Sequence, residues 1–263
     1  IATATEEIGS MAIFRSGDFP DKSSDETYNR FIPLLEPADA LANGASNPAL
    51  MVMVPDCAEI AEVWCALKKE NPNRIVAIRM QASPEAKQRV VDLAREGAEV
   101  IHLVFDMHGR ENAPSNPRHM RDVLRDIHCA LVKDGIRDQV TLMASGGIAL
   151  AEHMAKAIIC GADLVAIDVP LLIALECRLC GECEEGGVCP IDMADIFPDF
   201  AAKRIVNLMG AWHNQLLEML GAMGIREVRR LRGETGRCMF FEDLEKNTFG
   251  RLFGTRKEGI GAA

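Results

Sequence analysis

Four of the nine cysteines lie close together on one short segment. They are Cys177, Cys180, Cys183 and Cys189, with the spacing C-x2-C-x2-C-x5-C and Pro190 directly after the last. Four thiolates on one loop can converge on a single small volume. The bacterial ferredoxin run holds an iron–sulfur cluster with the same first gaps and the same final Cys-Pro, although the last gap here is longer by two residues. The segment therefore predicts an iron–sulfur site.

Two other interpretations of these cysteines stay open. Zinc also takes four thiolates in a closed structural site. Disulfide bonds are the third interpretation, and bunched cysteines without a secretory signal argue against them. The remaining cysteines have a simpler explanation, since free cysteine is among the most buried residue types. Cys65, Cys129 and Cys160 lie in helical patterns, and we expect them in the core.

The composition restricts the classes of protein. A chain of 263 residues with 48% hydrophobic and 26% charged residues is globular rather than disordered. The formal net charge of −10 argues against a nucleic-acid partner, which requires basic patches. No apolar run is long enough for a membrane span, and no secretory signal opens the chain. We expect a cytoplasmic protein, processed or cut from a longer polypeptide because an initiator Met is absent.

Apolar strands alternate with amphipathic helices from residue 49 onward. Five strands are predicted, at 50–54, 75–80, 100–105, 140–144 and 164–167, and helices are predicted at 57–70, 83–96, 119–134, 150–160 and 199–223. This alternation indicates βαβ units and a parallel sheet covered on both faces. We divide the chain into an irregular segment with one or two short helices (1–48), about five βα units (49–176), and the cysteine loop with a C-terminal helical segment (177–263).

Residues from about 50 to 252 resemble the C-terminal half of the flavin-binding domain of glutamate synthase. Besides the cysteine loop, the likeness is carried by IVAIRM (75–80), VIHLVFDMHG (100–109), MASGG (143–147), GADLVAID (161–168) and MGIREVRRLRG (223–233). The resemblance implies a parallel (β/α)8 barrel of the TIM-barrel type, here incomplete. It also implies bound FMN and an oxidoreductase that passes electrons from the cluster to the flavin, which reduces 2-iminoglutarate to glutamate.

The resemblance assigns roles to individual residues. Arg79 matches a flavin-contacting lysine, and His108 lies in the loop that faces the active site. Ser145, Gly146 and Gly147 correspond to the turn that binds the flavin phosphate, and Asp168 lies where the family has a glycine near that phosphate. Cys177, Cys183 and Cys189 match three cysteines that hold a 3Fe–4S cluster. The extra Cys180 favours a 4Fe–4S cluster instead, and 3Fe–4S is expected if Cys180 points away.

Two departures from the family pattern leave a second function open. Arg79 replaces a lysine, and the carboxylate of Asp168 would repel a phosphate. The alternative is a non-catalytic electron-transfer or scaffold subunit whose barrel has lost its flavin. Either protein needs a redox partner, and a catalytic one also needs a small-molecule substrate. A sheet of five parallel strands leaves two edges, so we expect a partner subunit, the missing N-terminal half of the barrel or a second copy of the chain to cover them.

Overall fold

The computed structural model describes residues 1–15, 18, 29–43, 49–182, 186–191 and 195–234. Seven parallel strands form one sheet in sequence order. They are β1 (Ala12–Arg15), β2 (Phe31–Leu34), β3 (Met51–Pro55), β4 (Ile75–Gln81), β5 (Val100–Val104), β6 (Thr141–Ser145) and β7 (Leu164–Val165). The α-helices described are α1 (Ala2–Ile8), α2 (Pro37–Asn43), α3 (Ile60–Glu70), α4 (Ala86–Arg95), α5 (Met120–Lys133), α6 (Ala151–Ile159), α7 (Val169–Ala174) and α8 (Pro198–Ala222).

Both faces of the strands β2 to β6 are largely buried, as the unbroken apolar strands predict. Successive residues of a strand point to opposite faces. One set packs under the helices, and it includes Val76, Ile101 and Leu142. The other set forms a separate apolar cluster on the inner face, made by Ile32, Met51, Met53, Ala77, Val100 and Met143. Helices on one side and a strand-lined interior on the other are the arrangement of a parallel (β/α) barrel.

The barrel is incomplete but strongly curled. β1 and β7 lie at opposite ends of the sheet. The helix before β1 nevertheless packs against helices that follow β7, through a small cluster that contains Ala4 of α1, Leu171 of α7 and Ile205 of α8. Helices from the two ends of the sheet can meet only if the sheet curves back on itself. The structure therefore confirms an incomplete parallel barrel.

The N-terminal segment is more regular than its sequence indicates. The prediction of an irregular segment at 1–48 is wrong for the described residues, because β1 and β2 extend the sheet from five strands to seven. The sequence pattern does not reveal these strands, because each has only four residues and β2 contains Pro33, which is unfavourable in a strand. Pairing of β1 with β2 and of β2 with β3 extends the sheet, and no local sequence pattern predicts this pairing.

The two added strands also change the expectation about partners. Met53 and Ala77 on the inner face are fully buried within the chain itself. The edge strands β1 and β7 have only four and two residues, and short edges limit strand addition by another chain. Short edges weaken the case for strand addition by another chain, but β1 and β7 are themselves partly exposed, and the expectation of a partner or a further segment stays a prediction. No helix in the part of the chain that the structure describes combines the length and apolar surface needed to cross a membrane.

The outer helices confirm most of the predicted pattern and correct two cysteines. Cys160 is buried, as expected. Cys65 and Cys129 are exposed, so their predicted core positions are wrong. Both lie beside the buried stripes of their helices, which run through Ile60, Val63 and Leu67 in α3 and through Leu124, Ile127 and Leu131 in α5. Cys238 lies outside the described residues.

A network of charges ties the C-terminal segment to the base of the barrel. Arg137 is almost fully buried and donates to the carbonyl oxygens of Val140 and Gly161 and to the Asp163 carboxylate, the last at 2.7 Å. The other oxygen of Asp163 accepts from Arg232 at 2.6 Å. One carboxylate thus neutralises a buried and a half-buried guanidinium, and it anchors the segment that follows α8.

Candidate functional site

Five polar residues lie at the carboxyl ends of the strands. They are Arg15, Arg79, His102, Ser145 and Asp168, which we call the inner polar cluster. Each stands two residues after an apolar residue of the inner face, namely Ile13, Ala77, Val100, Met143 and Ala166. Residues two apart in a strand share a face, so Arg15, Arg79, His102 and Ser145 face the interior. Asp168 follows the end of β7, and we group it with them because its charge acts on Arg79. Active sites of barrels lie at this end of the strands.

Arg79 is the cation at the centre of this cluster. Its side chain is half-buried, and no hydrogen bond or ion pair joins it to another described residue. Burial lowers its pKa, the positive charge of Arg15 lowers it further, and the Asp168 carboxylate opposes both. A half-buried guanidinium without a bonded carboxylate loses hydration that nothing in the described chain replaces. This arrangement favours an anion on the inner face.

A cleft of about 630 Å³ opens beside Arg79, at the carboxyl ends of β3 and β4. Asp56 and Arg89 form part of its wall and make two hydrogen bonds to each other, at 2.6 and 3.0 Å. Because Arg89 is engaged by Asp56, it holds the wall of the cleft rather than a ligand. Of the two arginines that line the cleft, Arg79 is the one that stays available to bind a ligand.

His102 and Ser145 form a buried pair on neighbouring strands. Nε2 of His102 lies 2.8 Å from Oγ of Ser145, while Nδ1 is buried without a partner among the described residues. Burial lowers the pKa of His102 to about 4, with Arg79 adding a smaller effect. The sequence shows a histidine in a strand, but not that a serine of the next strand lies beside it.

The Gly146–Gly147 turn is fixed by close packing. Both glycines have positive φ, of 93° and 66°. A Cβ on Gly146 would lie 2.2 Å from the carbonyl oxygen of Phe105, and one on Gly147 would lie 2.3 Å from the backbone nitrogen of Gly109. Contact with the loop after β5 therefore requires glycine at both positions. Within the described chain, the N–H groups of this turn have no hydrogen-bond acceptor, so they can donate to an anion.

His108 lies on that neighbouring loop, with its side chain exposed. The Asp106 carboxylate accepts hydrogen bonds from the backbone N–H groups of His108 and Arg110, at 2.9 and 2.7 Å. Asp106 thus shapes the loop through its backbone rather than by bonding the His108 ring. The catalytic role of His108 stays a prediction.

Asp168 begins α7 as its N-cap. Its Oδ1 accepts from the N–H of Val169 at 2.6 Å, and the side chain is exposed. This bond holds one carboxylate oxygen at the helix terminus, where negative charge is favourable. Asp168 therefore has a structural role in addition to its electrostatic effect on Arg79.

The cysteine loop follows α7 and carries several left-handed residues. Glu176, Leu179, Gly181 and Gly186 have positive φ, which folds the backbone back on itself. The N–H of Leu179 points toward Sγ of Cys177 at 3.4 Å. Cys177 and Cys189 are half-buried and Cys180 is exposed.

The described part of the chain does not gather these cysteines into a metal site. No group of three or more Cys, His, Asp or Glu side chains converges there, and Cys183 lies outside the described residues. The predicted ligand set stays a prediction.

Comparison with known proteins decides the family. The profile of a family described as "Conserved region in glutamate synthase" matches residues 42–226, more than half of the chain. The chain belongs to the glutamate synthase family. Among curated relatives, the archaeal-type glutamate synthase [NADPH] of Dehalococcoides mccartyi is 30% identical over 227 residues, and the archaeal glutamate synthase [NADPH] of Archaeoglobus fulgidus is 31% identical over 239 residues. These alignments cover 80% and 85% of the chain, but 43% and 45% of the relatives.

The chain thus spans less than half the length of these glutamate synthase relatives. A solved structure with the same fold is the recombinant flavin-binding domain of baker's yeast flavocytochrome b2. It matches with a TM-score of 0.58 at 11% identity, over 100% of the chain and 72% of that domain. At this identity the likeness concerns the fold alone. It agrees with a parallel barrel that lacks part of its circumference.

Proposed function

We propose that this chain is the core of a glutamate synthase-like oxidoreductase domain that binds FMN against its inner face and carries an iron–sulfur cluster on the cysteine loop. The observation that carries the proposal is the half-buried Arg79, which pairs with no described residue and lies at the carboxyl ends of the strands in a glutamate synthase-family barrel. The flavin-binding domain of flavocytochrome b2 shares this fold, which supports a flavin here as well.

The residues of the inner face suit the phosphate of FMN and the ring, which becomes anionic on reduction. Arg79 would hold an anionic flavin ring or the carboxylate of a substrate, because its guanidinium stays charged and has donors free among the described residues. Ser145 and the N–H groups of Gly146 and Gly147 would bind the phosphate. Asp168 points one carboxylate oxygen at its own helix, which limits repulsion of that phosphate. When bound, the flavin supplies hydride chemistry.

The family supports a proposal for the substrate and for the source of electrons. The two relatives carry the name glutamate synthase [NADPH], and the reaction that we propose is reduction of 2-iminoglutarate to glutamate. The chain spans less than half of those relatives, and we propose that a further segment or a redox partner subunit delivers the electrons. His108, exposed at the carboxyl end of β5, is the residue proposed to exchange protons with the substrate.

The cluster is proposed on Cys177, Cys180, Cys183 and Cys189. Backbone N–H groups that point at cysteine sulfur are typical of cluster loops, and the Leu179 N–H already does so toward Cys177. The left-handed residues of the loop allow several N–H groups to face one point. Four thiolates favour a 4Fe–4S cluster, and 3Fe–4S is expected if Cys180 does not bind iron.

The flavin proposal is tested by FMN titration, followed through quenching of flavin fluorescence. Arg79→Ala should weaken FMN binding about tenfold or more, since a hydrogen bond to a charged group is lost. Arg79→Lys should recover part of the affinity because it restores the positive charge. Arg95→Ala is the matched control, since Arg95 is exposed on α4 and pairs with Asp134. Equal FMN affinity of Arg79→Ala and wild type would contradict the proposed site.

The cluster proposal is tested by analysis of metal and sulfide after anaerobic purification. We expect about four iron and four acid-labile sulfide per chain, together with a broad visible absorption. Cys183→Ser should abolish that absorption, whereas Cys129→Ser, an exposed cysteine on α5, should leave it unchanged. Stoichiometric zinc without iron would contradict the cluster. A cluster in a protein that binds no FMN would instead support the electron-transfer subunit.

A further inference from the structure

We propose that His102 is a positioning residue, which holds the Ser145 hydroxyl as a hydrogen-bond donor to an anionic phosphate oxygen at the Gly146–Gly147 turn. The phosphate is that of FMN, so the ligand rests on the proposed function. The contact between His102 and Ser145 is observed in the chain itself and does not depend on the ligand. Arg79 and the strand register already explain why an anion should approach this face, but neither explains why a histidine is buried beside the turn.

The unpartnered nitrogen of His102 indicates which nitrogen carries the proton. His102 is 2% exposed, and its Nε2 contacts Oγ of Ser145 at 2.8 Å. If the proton were on Nδ1, a buried N–H would lack an acceptor among the described residues and would lie in the positive field of Arg79. Buried N–H groups without partners are rarer than buried acceptors without partners. The proton therefore belongs on Nε2, and the lone pair of Nδ1 benefits from the nearby guanidinium.

This tautomer decides what Ser145 can offer to a ligand. Nε2–H donates to Oγ and occupies one lone pair of the hydroxyl. The hydroxyl proton of Ser145 is then free to point away from His102. With the opposite tautomer, Ser145 would donate to Nε2 and would present only lone pairs, which repel an anion. His102 thus converts a group that can donate or accept into a donor.

The position of Ser145 directs that donor toward the turn. Ser145 is the last residue of β6 and directly precedes Gly146 and Gly147. Within the described chain, the N–H groups of both glycines have no acceptor. Ser145 is 8% exposed, so it lies just under the surface of the inner face. Three consecutive residues then present hydrogen-bond donors, a set suited to phosphate oxygens.

The tautomer is tested without any ligand. Long-range ¹H–¹⁵N correlation spectra of the chain with ¹⁵N-labelled histidine distinguish a protonated from an unprotonated ring nitrogen. The His102 signals are assigned by their loss in His102→Leu. We expect a neutral ring with the proton on Nε2. A proton on Nδ1 would overturn the inference, whatever the chain binds.

The role toward the ligand is tested by calorimetric titration with FMN and with inorganic phosphate. Ser145→Ala should weaken both about tenfold, the value of a hydrogen bond to a charged group, and Ser145→Thr should keep most of the affinity because it keeps the hydroxyl. His102→Leu should weaken binding as well. The double variant should bind no more weakly than Ser145→Ala alone, since His102 acts through Ser145.

The outcomes separate this inference from the proposed function. If the wild type and Ser145→Ala bind FMN with equal affinity, the role of Ser145 is overturned and the proposed flavin site is retained. Additive losses in the double variant would show that His102 acts independently of Ser145 and would also overturn it. If the wild type binds neither FMN nor phosphate, both the proposed function and the proposed phosphate contact of Ser145 are refuted. The tautomer of His102 is then still decided by the spectra. Thermal unfolding of each variant identifies losses that arise from misfolding.

Discussion

Acidification should destabilise the fold through His102, and the structure sets the size of the effect. The pKa of His102 is lowered from 6.5 to about 4, chiefly by burial. Between these values the unfolded chain binds a proton and the folded chain does not. The free energy of unfolding therefore falls as the pH falls through this window. At 1.36 kcal/mol for each pH unit, the contribution of His102 is about 3 kcal/mol.

The effect is isolated by comparing the wild type with His102→Leu. Urea unfolding at pH 7.5 and pH 4.5 gives the free energy of unfolding for each protein. Carboxylates that lose stability in acid do so in both proteins, so the difference between them reports His102. We expect the wild type to lose about 2 to 3 kcal/mol more than His102→Leu over this range. The variant itself should be less stable than the wild type at pH 7.5, because it leaves the Ser145 hydroxyl without its partner.

The control is His213→Gln, because the side chain of His213 is exposed on α8. This variant should follow the wild-type dependence on pH. The reasoning would be refuted if the wild type and His102→Leu lost the same stability between pH 7.5 and pH 4.5. That result would mean that the His102 ring is hydrated or paired in the folded protein.

Three further outcomes follow from the packing and the charges. Gly147→Ala should lower the free energy of unfolding by about 3 kcal/mol or more, because its Cβ would lie 2.3 Å from a backbone atom. Gly135→Ala is the control, since it has a similar positive φ but no neighbour within 4 Å, and it should cost about 1 kcal/mol. Chemical denaturation measures both. Asp163→Asn should cost about 3 kcal/mol in the same assay, since it leaves the buried Arg137 without a counter-charge, and an unchanged unfolding midpoint would contradict this account. Asp168→Asn should tighten FMN binding because it removes a negative charge and keeps an N-cap, and unchanged affinity in the fluorescence titration would show that the phosphate lies elsewhere.

Local patterns were sufficient for the central part of the barrel. The strands β3 to β7 and the helices α3 to α6 follow from apolar runs and helical periodicity, whereas the short helix α7 has no such signal. The glycine pair after β6 was also visible, although its packing against the loop after β5 was not. The cysteine spacing predicts a cluster by itself, and this prediction awaits the iron analysis.

The sequence by itself determined the fold class and the family, since strand–helix alternation and ordered motifs are properties of the chain in one dimension. Tertiary structure alone decided the membership of the inner polar cluster. Arg15 belongs to a four-residue strand that is recognised only by its pairing, and His102 meets Ser145 across 43 positions of sequence. Strand register decides which side chains share the interior, and register is a relation between strands that no single strand encodes. Among the described residues, the guanidinium of Arg79 and Nδ1 of His102 have no partner, and this follows from that register because burial and partners exist only once the strands are assembled.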